Sequence, residues 1–171
     1  MASTTLVPVK EFLKTIDERP PREYVDGVVI EKPMGSRLHG ILQMWFGHLF
    51  ARYPQYAAAS EWHVRVRPTE YRLPDIAVQH RNVGSTEIYA ETPLVLAIEI
   101  LSPGDRIGAT FAKCEIYHEW GVPFCWVVDP DKRRAWSYQS GDEPRLAVDA
   151  LEAGDIRFTL AEVFEGLDPK H

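Results

Sequence analysis

The sequence predicts an α/β fold with α+β character, a mixed central β-sheet flanked by helices. Two apolar runs, Pro93 to Leu101 and Phe124 to Val128, have the composition of strands covered on both faces. Between them, a segment from about Ile107 to Trp120 reads as a helix, stopped by Gly121 and Pro123. Strand, helix and strand in this order fit a right-handed β-α-β crossover. A third observation adds the mixed character: the N-terminal half carries short, antiparallel-prone strand signals.

Residues from about Val9 to Ile16 can form a short amphipathic helix, after which Pro20-Pro21 breaks the chain. Arg22-Glu23-Tyr24-Val25 and Val28-Val29-Ile30-Glu31 flank Asp26-Gly27, a strong short hairpin signal. Ser36 is placed to cap a helix carrying Leu38, Ile41, Leu42, Trp45, Leu49 and Phe50 at helical spacing, with Pro54 beyond its end. Trp62, Val64 and Val66 alternate with His63, Arg65 and Arg67 as in a half-buried strand. Leu73 to Val78 predicts another strand with a proline at its edge, and the polar stretch from His80 to Thr92 predicts a surface loop. Beyond the crossover, Asp129-Pro130-Asp131 turns into a strand from Arg134 to Tyr138, and short elements follow.

The 171 residues fit one domain spanning 1–171, and 45% apolar residues with 11% aromatics describe a globular chain. No apolar run approaches the ~20 residues of a membrane span. Met1 to Thr5 lacks the basic and apolar regions of a signal peptide, and Cys114 and Cys125 lie in apolar segments, as reduced core thiols would. The expected location is the cytoplasm. A net charge of −6 argues against a protein that grips nucleic acid mainly through its phosphates. Arg65, Arg67 and Arg72, and the run Lys132-Arg133-Arg134, read as solvated strand and turn faces rather than a phosphate-binding patch.

One residue does not fit its segment. Glu99 is the only ionisable member of the Pro93–Leu101 run, and a buried carboxylate needs a cation, a metal or strong donors. Asp75 stands at the start of another strand and Glu23 within an earlier one. Neighbouring strands would bring Asp75 and Glu99 together, where two carboxylates either share a proton or bind a hard cation. On the crossover helix, Lys113, Ile116, Tyr117 and Trp120 share a face, which puts Lys113 near Glu99. A structural ion pair between Lys113 and Glu99 is the plainer alternative. Other motifs fail: Val122 replaces the second histidine of a zincin pattern begun by His118-Glu119, Gly104 and Gly108 lack the Lys-Ser/Thr of a phosphate loop, and Ser102 lacks a nucleophile elbow. His39, Trp45, Phe46, Trp120 and Trp126 read as helix or core residues.

The ordered segments Glu23-Tyr24-Val25-Asp26-Gly27, Leu73-Pro74-Asp75-Ile76-Ala77-Val78, Ala97-Ile98-Glu99-Ile100-Leu101-Ser102-Pro103, Lys113 with Tyr117, and Gly121-Val122-Pro123 through Asp129-Pro130 carry a resemblance. From about residue 8 to 165 the chain resembles a large bacterial family of restriction-endonuclease type, long known as a domain of unknown function, within the PD-(D/E)XK nuclease superfamily. The resemblance implies a restriction-endonuclease-like core and hydrolysis of DNA phosphodiester bonds with Mg²⁺, or Mn²⁺ in its place. It implies Asp75, Glu99 and the Ile100 carbonyl as metal ligands, Glu23 as a nearby ligand or water orienter, and Lys113 as the lysine beside the attacking water. The superfamily's usual lysine position falls on Leu101, and the family resembled here moves that lysine to the following helix. The family pattern also carries a histidine near His39. A homodimer is implied by analogy with nucleases that cut two strands. The rival readings are an inactive dimerising or regulatory module with the same fold, and a DNA-binding accessory.

Overall fold

The computed structural model describes residues 6–83 and 88–168. A short helix α1 (Val9–Leu13) buries Phe12 and ends three residues earlier than its pattern suggested, although Ile16 still packs inward. Strands β1 (Arg22–Val25) and β2 (Val28–Glu31) form the expected hairpin, with Asp26 and Gly27 at φ 46° and 92°. Two successive positive φ values are what a two-residue turn between twisted strands requires, and Asp-Gly tolerates them. Helix α2 (Arg37–Phe50) begins where the Ser36 hydroxyl accepts the His39 N–H, and its buried stripe includes Leu42, Phe46, Leu49 and Phe50.

Strands β3 (Tyr56–Ser60), β4 (His63–Arg67), β5 (Glu70–Arg72), β6 (Ile76–His80), β7 (Tyr89–Ala90) and β8 (Leu96–Ile100) lead to helix α3 (Ile107–Trp120). Gly121, at φ 109°, ends that helix in the left-handed conformation. The chain closes with β9 (Phe124–Asp129), β10 (Arg134–Gln139), β11 (Arg145–Leu146), β12 (Ala150–Ala153), β13 (Ile156–Thr159) and α4 (Leu160–Glu165), the last held by a Thr159/Glu162 capping box.

Six strands make the larger sheet in the order β11-β10-β9-β8-β6-β3, with β8 and β9 parallel and joined through α3. The other pairs of that sheet are antiparallel, so the sheet is mixed, as expected. A second sheet runs β2-β1-β5-β4-β7, and β12 pairs with β13. Strands β3 and β5 had no clear signal: Ala57-Ala58-Ala59 has weak β-propensity, and Glu70-Tyr71-Arg72 is short and polar. The segment expected as a loop from His80 to Thr92 contains β7, two residues that pair in parallel with β4. Leu73 to Asp75 precede β6 instead of belonging to it.

Period-two alternation along β8 sets the site. Leu96, Ile98 and Ile100 join a core with α2 residues Leu42 and Phe46 and with Phe158. Ala97 faces the other way, into a core with Cys114, Tyr117, Cys125 and Val127, and both cysteines are buried free thiols. By the same alternation Glu99 faces α3. Among the described residues no helix is long and apolar enough to cross a membrane.

A candidate active site where two sheets and a helix meet

Five acidic residues line one open cavity of about 250 Å³, and three of them are buried: Glu23 of β1, Asp75 just before β6, and Glu99 of β8, with Glu31 and Asp105 as the other two. The β6–β8 register pairs Ile76 with Ile98, and its continuation by one residue sets Asp75 opposite Glu99. The expected meeting of Asp75 and Glu99 at neighbouring strands is therefore what the sheet provides. Glu23 reaches them from the second sheet.

Each of the three buried carboxylates is held by specific donors. Asp75 Oδ2 accepts the Ile100 N–H at 2.6 Å, while Oδ1 lies 2.5 Å from Lys32 Nζ and 3.2 Å from His39 Nε2. Glu99 Oε1 takes both the Tyr117 hydroxyl at 2.8 Å and Lys113 Nζ at 3.0 Å. Both of these contacts fall on Oε1. Glu23 Oε1 lies 2.8 Å from Lys113 Nζ and accepts the Leu73 N–H at 3.0 Å, and Oε2 accepts from Arg72 at 3.1 Å. Lys113 thus bridges Glu23 and Glu99, joining two sheets through α3.

These environments drive the carboxyls apart. Burial pushes Glu99 up, Lys113 opposes that, and the neighbouring charge of Asp75 adds to it. Burial would also raise Asp75, but the hydrogen bond from His39 and the charge of Lys32 outweigh it and hold the group well below the usual carboxylate range. Glu23, equally enclosed, is brought down to about 2 because Lys113 and the Leu73 N–H outweigh its burial. For Lys113 burial acts downward, yet Glu99, Glu23 and Asp75 together keep its pKa above the ordinary lysine value. Tyr117 is pushed well up, first by burial and then by Glu99.

All the residues expected for the site fall together: Glu23, Asp75, Glu99, Ile100 and Lys113 line the same cavity. Four contributors had not been assigned there by the sequence: Lys32, Tyr117 as a hydroxyl donor, Arg72 and Ser102. Arg72 is not a solvated strand residue. It lies between Glu23 and the buried Glu70, with Nη2 2.6 Å from Glu70 Oε1. Ser102 Oγ sits 3.3 Å from His39 Nδ1, so the histidine reaches Asp75 with its other nitrogen while leaning on Ser102. A lysine next to a proline after a hairpin carries no local signal. The alternation of Glu70 and Arg72 was the only trace of their pairing.

Among the described residues no group of three or more His, Cys, Asp or Glu side chains is arranged to hold a metal ion. The donors present are nonetheless oxygens that suit a hard cation. Asp75 and Glu99 stand opposite one another beside open space, and their counter-charges are lysines on flexible stems. The residues fit a divalent ion that keeps part of its water shell.

Mixed sheets thus meet at an acidic, lysine-bearing cavity beside the β-α-β crossover. The chain belongs to the Uma2 family, described as "Putative restriction endonuclease", whose model matches residues 9–168. In structure the chain is similar to a crystal structure described as "a putative nuclease belonging to DUF820" from Anabaena variabilis ATCC 29413. The two superpose with a TM-score of 0.79 over 94% of this chain and 99% of the other, at 22% identity, so the likeness is one of fold. No curated protein matches the chain.

Proposed function

We propose that the protein is a divalent-metal-dependent nuclease that hydrolyses phosphodiester bonds of DNA. The single observation that carries this reading is Lys113, held between Glu23 and Glu99 beside Asp75 in one open cavity. Asp75, Glu99 and the Ile100 carbonyl would hold Mg²⁺ or Mn²⁺. Such an ion, when bound, polarises a phosphate and lowers the pKa of a coordinated water.

The chain's own residues supply position and charge. Lys113 stays protonated near neutral pH because its carboxylate neighbours raise its pKa, so it donates hydrogen bonds and offsets charge developing on phosphoryl oxygens. That favours the charge-stabilising role over proton abstraction. Glu23, ionised and bound to Arg72 and the Leu73 N–H, fixes where the Lys113 ammonium points. Tyr117 turns Glu99 Oε1 toward α3, leaving Oε2 as the oxygen for a ligand. A homodimer would place two such sites on the two strands of a duplex.

The decisive experiment incubates the purified protein with supercoiled plasmid and with single-stranded DNA, plus Mg²⁺ or Mn²⁺, beside Asp75→Ala and Lys113→Ala. Cleavage by the wild type alone is expected. Equal cleavage by the variants, or none by any protein, would sink the nuclease reading.

One observation favours a second reading, an inactive dimerising or DNA-binding module. Lys32, Lys113 and Arg72 already neutralise the buried carboxylates, as a purely structural network would. Under that reading the same assay yields DNA retention without cleavage.

A further inference from the structure

The two lysines of the cavity are held very differently. Lys113 is enclosed by two carboxylates, at 2.8 Å and 3.0 Å, and by the Leu73 carbonyl at 3.3 Å. Lys32 has one carboxylate, Asp75 Oδ1 at 2.5 Å, and the same Leu73 carbonyl at 2.9 Å. A carboxylate and a backbone carbonyl are also the oxygen types a hard divalent cation takes. We propose that Lys32 holds the cation's place at Asp75 in the metal-free protein and gives that carboxylate up when the divalent ion binds. The inference rests on the nuclease reading above.

The surroundings make this exchange mechanically simple. The backbone of Lys32 is anchored, its N–H donating to the Pro21 carbonyl at 2.8 Å, so only the side chain moves. That side chain lines the open cavity and is 14% exposed, so a departing ammonium enters solvent-filled space. Its four-carbon stem has several rotatable bonds. Asp75 stays in place meanwhile, because Oδ2 remains bound to the Ile100 N–H and His39 remains on Oδ1. Oδ2 of Asp75 is taken by the Ile100 N–H, so an ammonium and a divalent cation would have to share Oδ1, where their repulsion makes binding of one weaken binding of the other. Lys113, fixed by Glu23 as well as Glu99, has no such freedom.

The test measures Mn²⁺ binding by the electron paramagnetic resonance of free Mn²⁺ for wild type, Lys32→Gln, Lys32→Arg and Asp75→Asn. Alongside it, ¹⁵N NMR of lysine ammonium groups follows the wild type during a Mg²⁺ titration. Lys32→Gln should bind Mn²⁺ about tenfold more tightly than wild type, the scale of a modest coupling between two sites. Lys32→Arg should bind no more tightly than wild type. The slowly exchanging Lys32 ammonium signal should shift or vanish as Mg²⁺ saturates, while that of Lys113 persists. Unchanged or weaker binding by Lys32→Gln, or a Lys32 signal indifferent to saturating Mg²⁺, overturns the proposal. If Lys32→Gln does not fold, the wild-type titration decides alone. Wild type that binds Mn²⁺ through Asp75 but matches Lys32→Gln leaves the nuclease reading standing without this exchange; absence of binding by every protein removes both.

Discussion

Asp75 Oδ2 accepts the backbone N–H of Ile100 at 2.6 Å, fastening the entry of β6 to the residue that follows Glu99. The bond fixes the position of one carboxylate relative to the other through the main chain, so side-chain rotation at Asp75 is removed. It also makes Asp75 structural as well as chemical. Asp75→Asn keeps an acceptor for Ile100 but leaves the Lys32 ammonium without its counter-charge. Asp75 is 2% exposed, so loss of about 3 kcal/mol of stability is expected, the lower end for breaking a buried pair because Lys32 can turn into the cavity. Urea unfolding at neutral pH measures it, and an unchanged midpoint would contradict the burial argument.

Glu23 gives a pH signature with a definite sign. Its folded pKa of about 2 lies below the ordinary 4.5, so the folded state favours the ionised form. That stability is fully present above about pH 5 and is lost as pH falls from there toward 2. Glu23→Gln should remove on the order of 3 kcal/mol at neutral pH and flatten the acid limb of the stability curve. Glu99 acts oppositely: its folded pKa is raised, so its ionisation costs stability as pH rises above 4.5. Glu99→Gln should therefore flatten the limb above pH 4.5. Denaturant midpoints between pH 3 and 8, the expected working span for such curves, test both; parallel curves for all three proteins would refute the assignment.

Tyr117 isolates a single hydrogen bond. Its hydroxyl donates to Glu99 Oε1 at 2.8 Å from a fully buried ring, and Phe would preserve the ring packing. Tyr117→Phe should cost about 1–2 kcal/mol, because the buried carboxylate loses a donor that no water replaces. It should also move the Glu99 carboxyl titration, followed by ¹³C NMR, to higher pH. A Glu99 titration that stays put would mean the hydroxyl does not favour the ionised form.

The crossover was legible in the sequence because its signals are strong and local: a long apolar strand, a helix with αL-capable Gly121 at its end, and a second apolar strand. Glu99 announced itself by contrast with that strand, and the helical spacing of Lys113 and Tyr117 pointed both at it. Lys32 was not legible, since its partner Asp75 is distant in sequence and the hairpin that carries Lys32 belongs to the other sheet. Arg72 and Glu70 were missed for a related reason. Their strand is three residues long, and the side chains are buried as a network, not as an apolar face. Local patterns reveal elements and their faces; contacts between separate sheets follow from packing.

Lys113 allows the fold and the chemistry to be separated. Its Nζ neutralises two buried carboxylates, so Lys113→Met strands both Glu23 and Glu99 and should cost about 3–5 kcal/mol. Loss of cleavage in that variant would be ambiguous on its own. Combining it with Glu99→Gln removes one of the stranded charges, and the double variant should recover about 1–2 kcal/mol relative to Lys113→Met, a coupling expected of residues in contact. Cleavage should not return with that stability, because neither the cation at Lys113 nor the carboxylate at Glu99 has been restored. A double variant that regains stability and cleavage together would mean that Lys113 serves only to hold the fold. One that regains neither would mean that the two residues are not paired in solution.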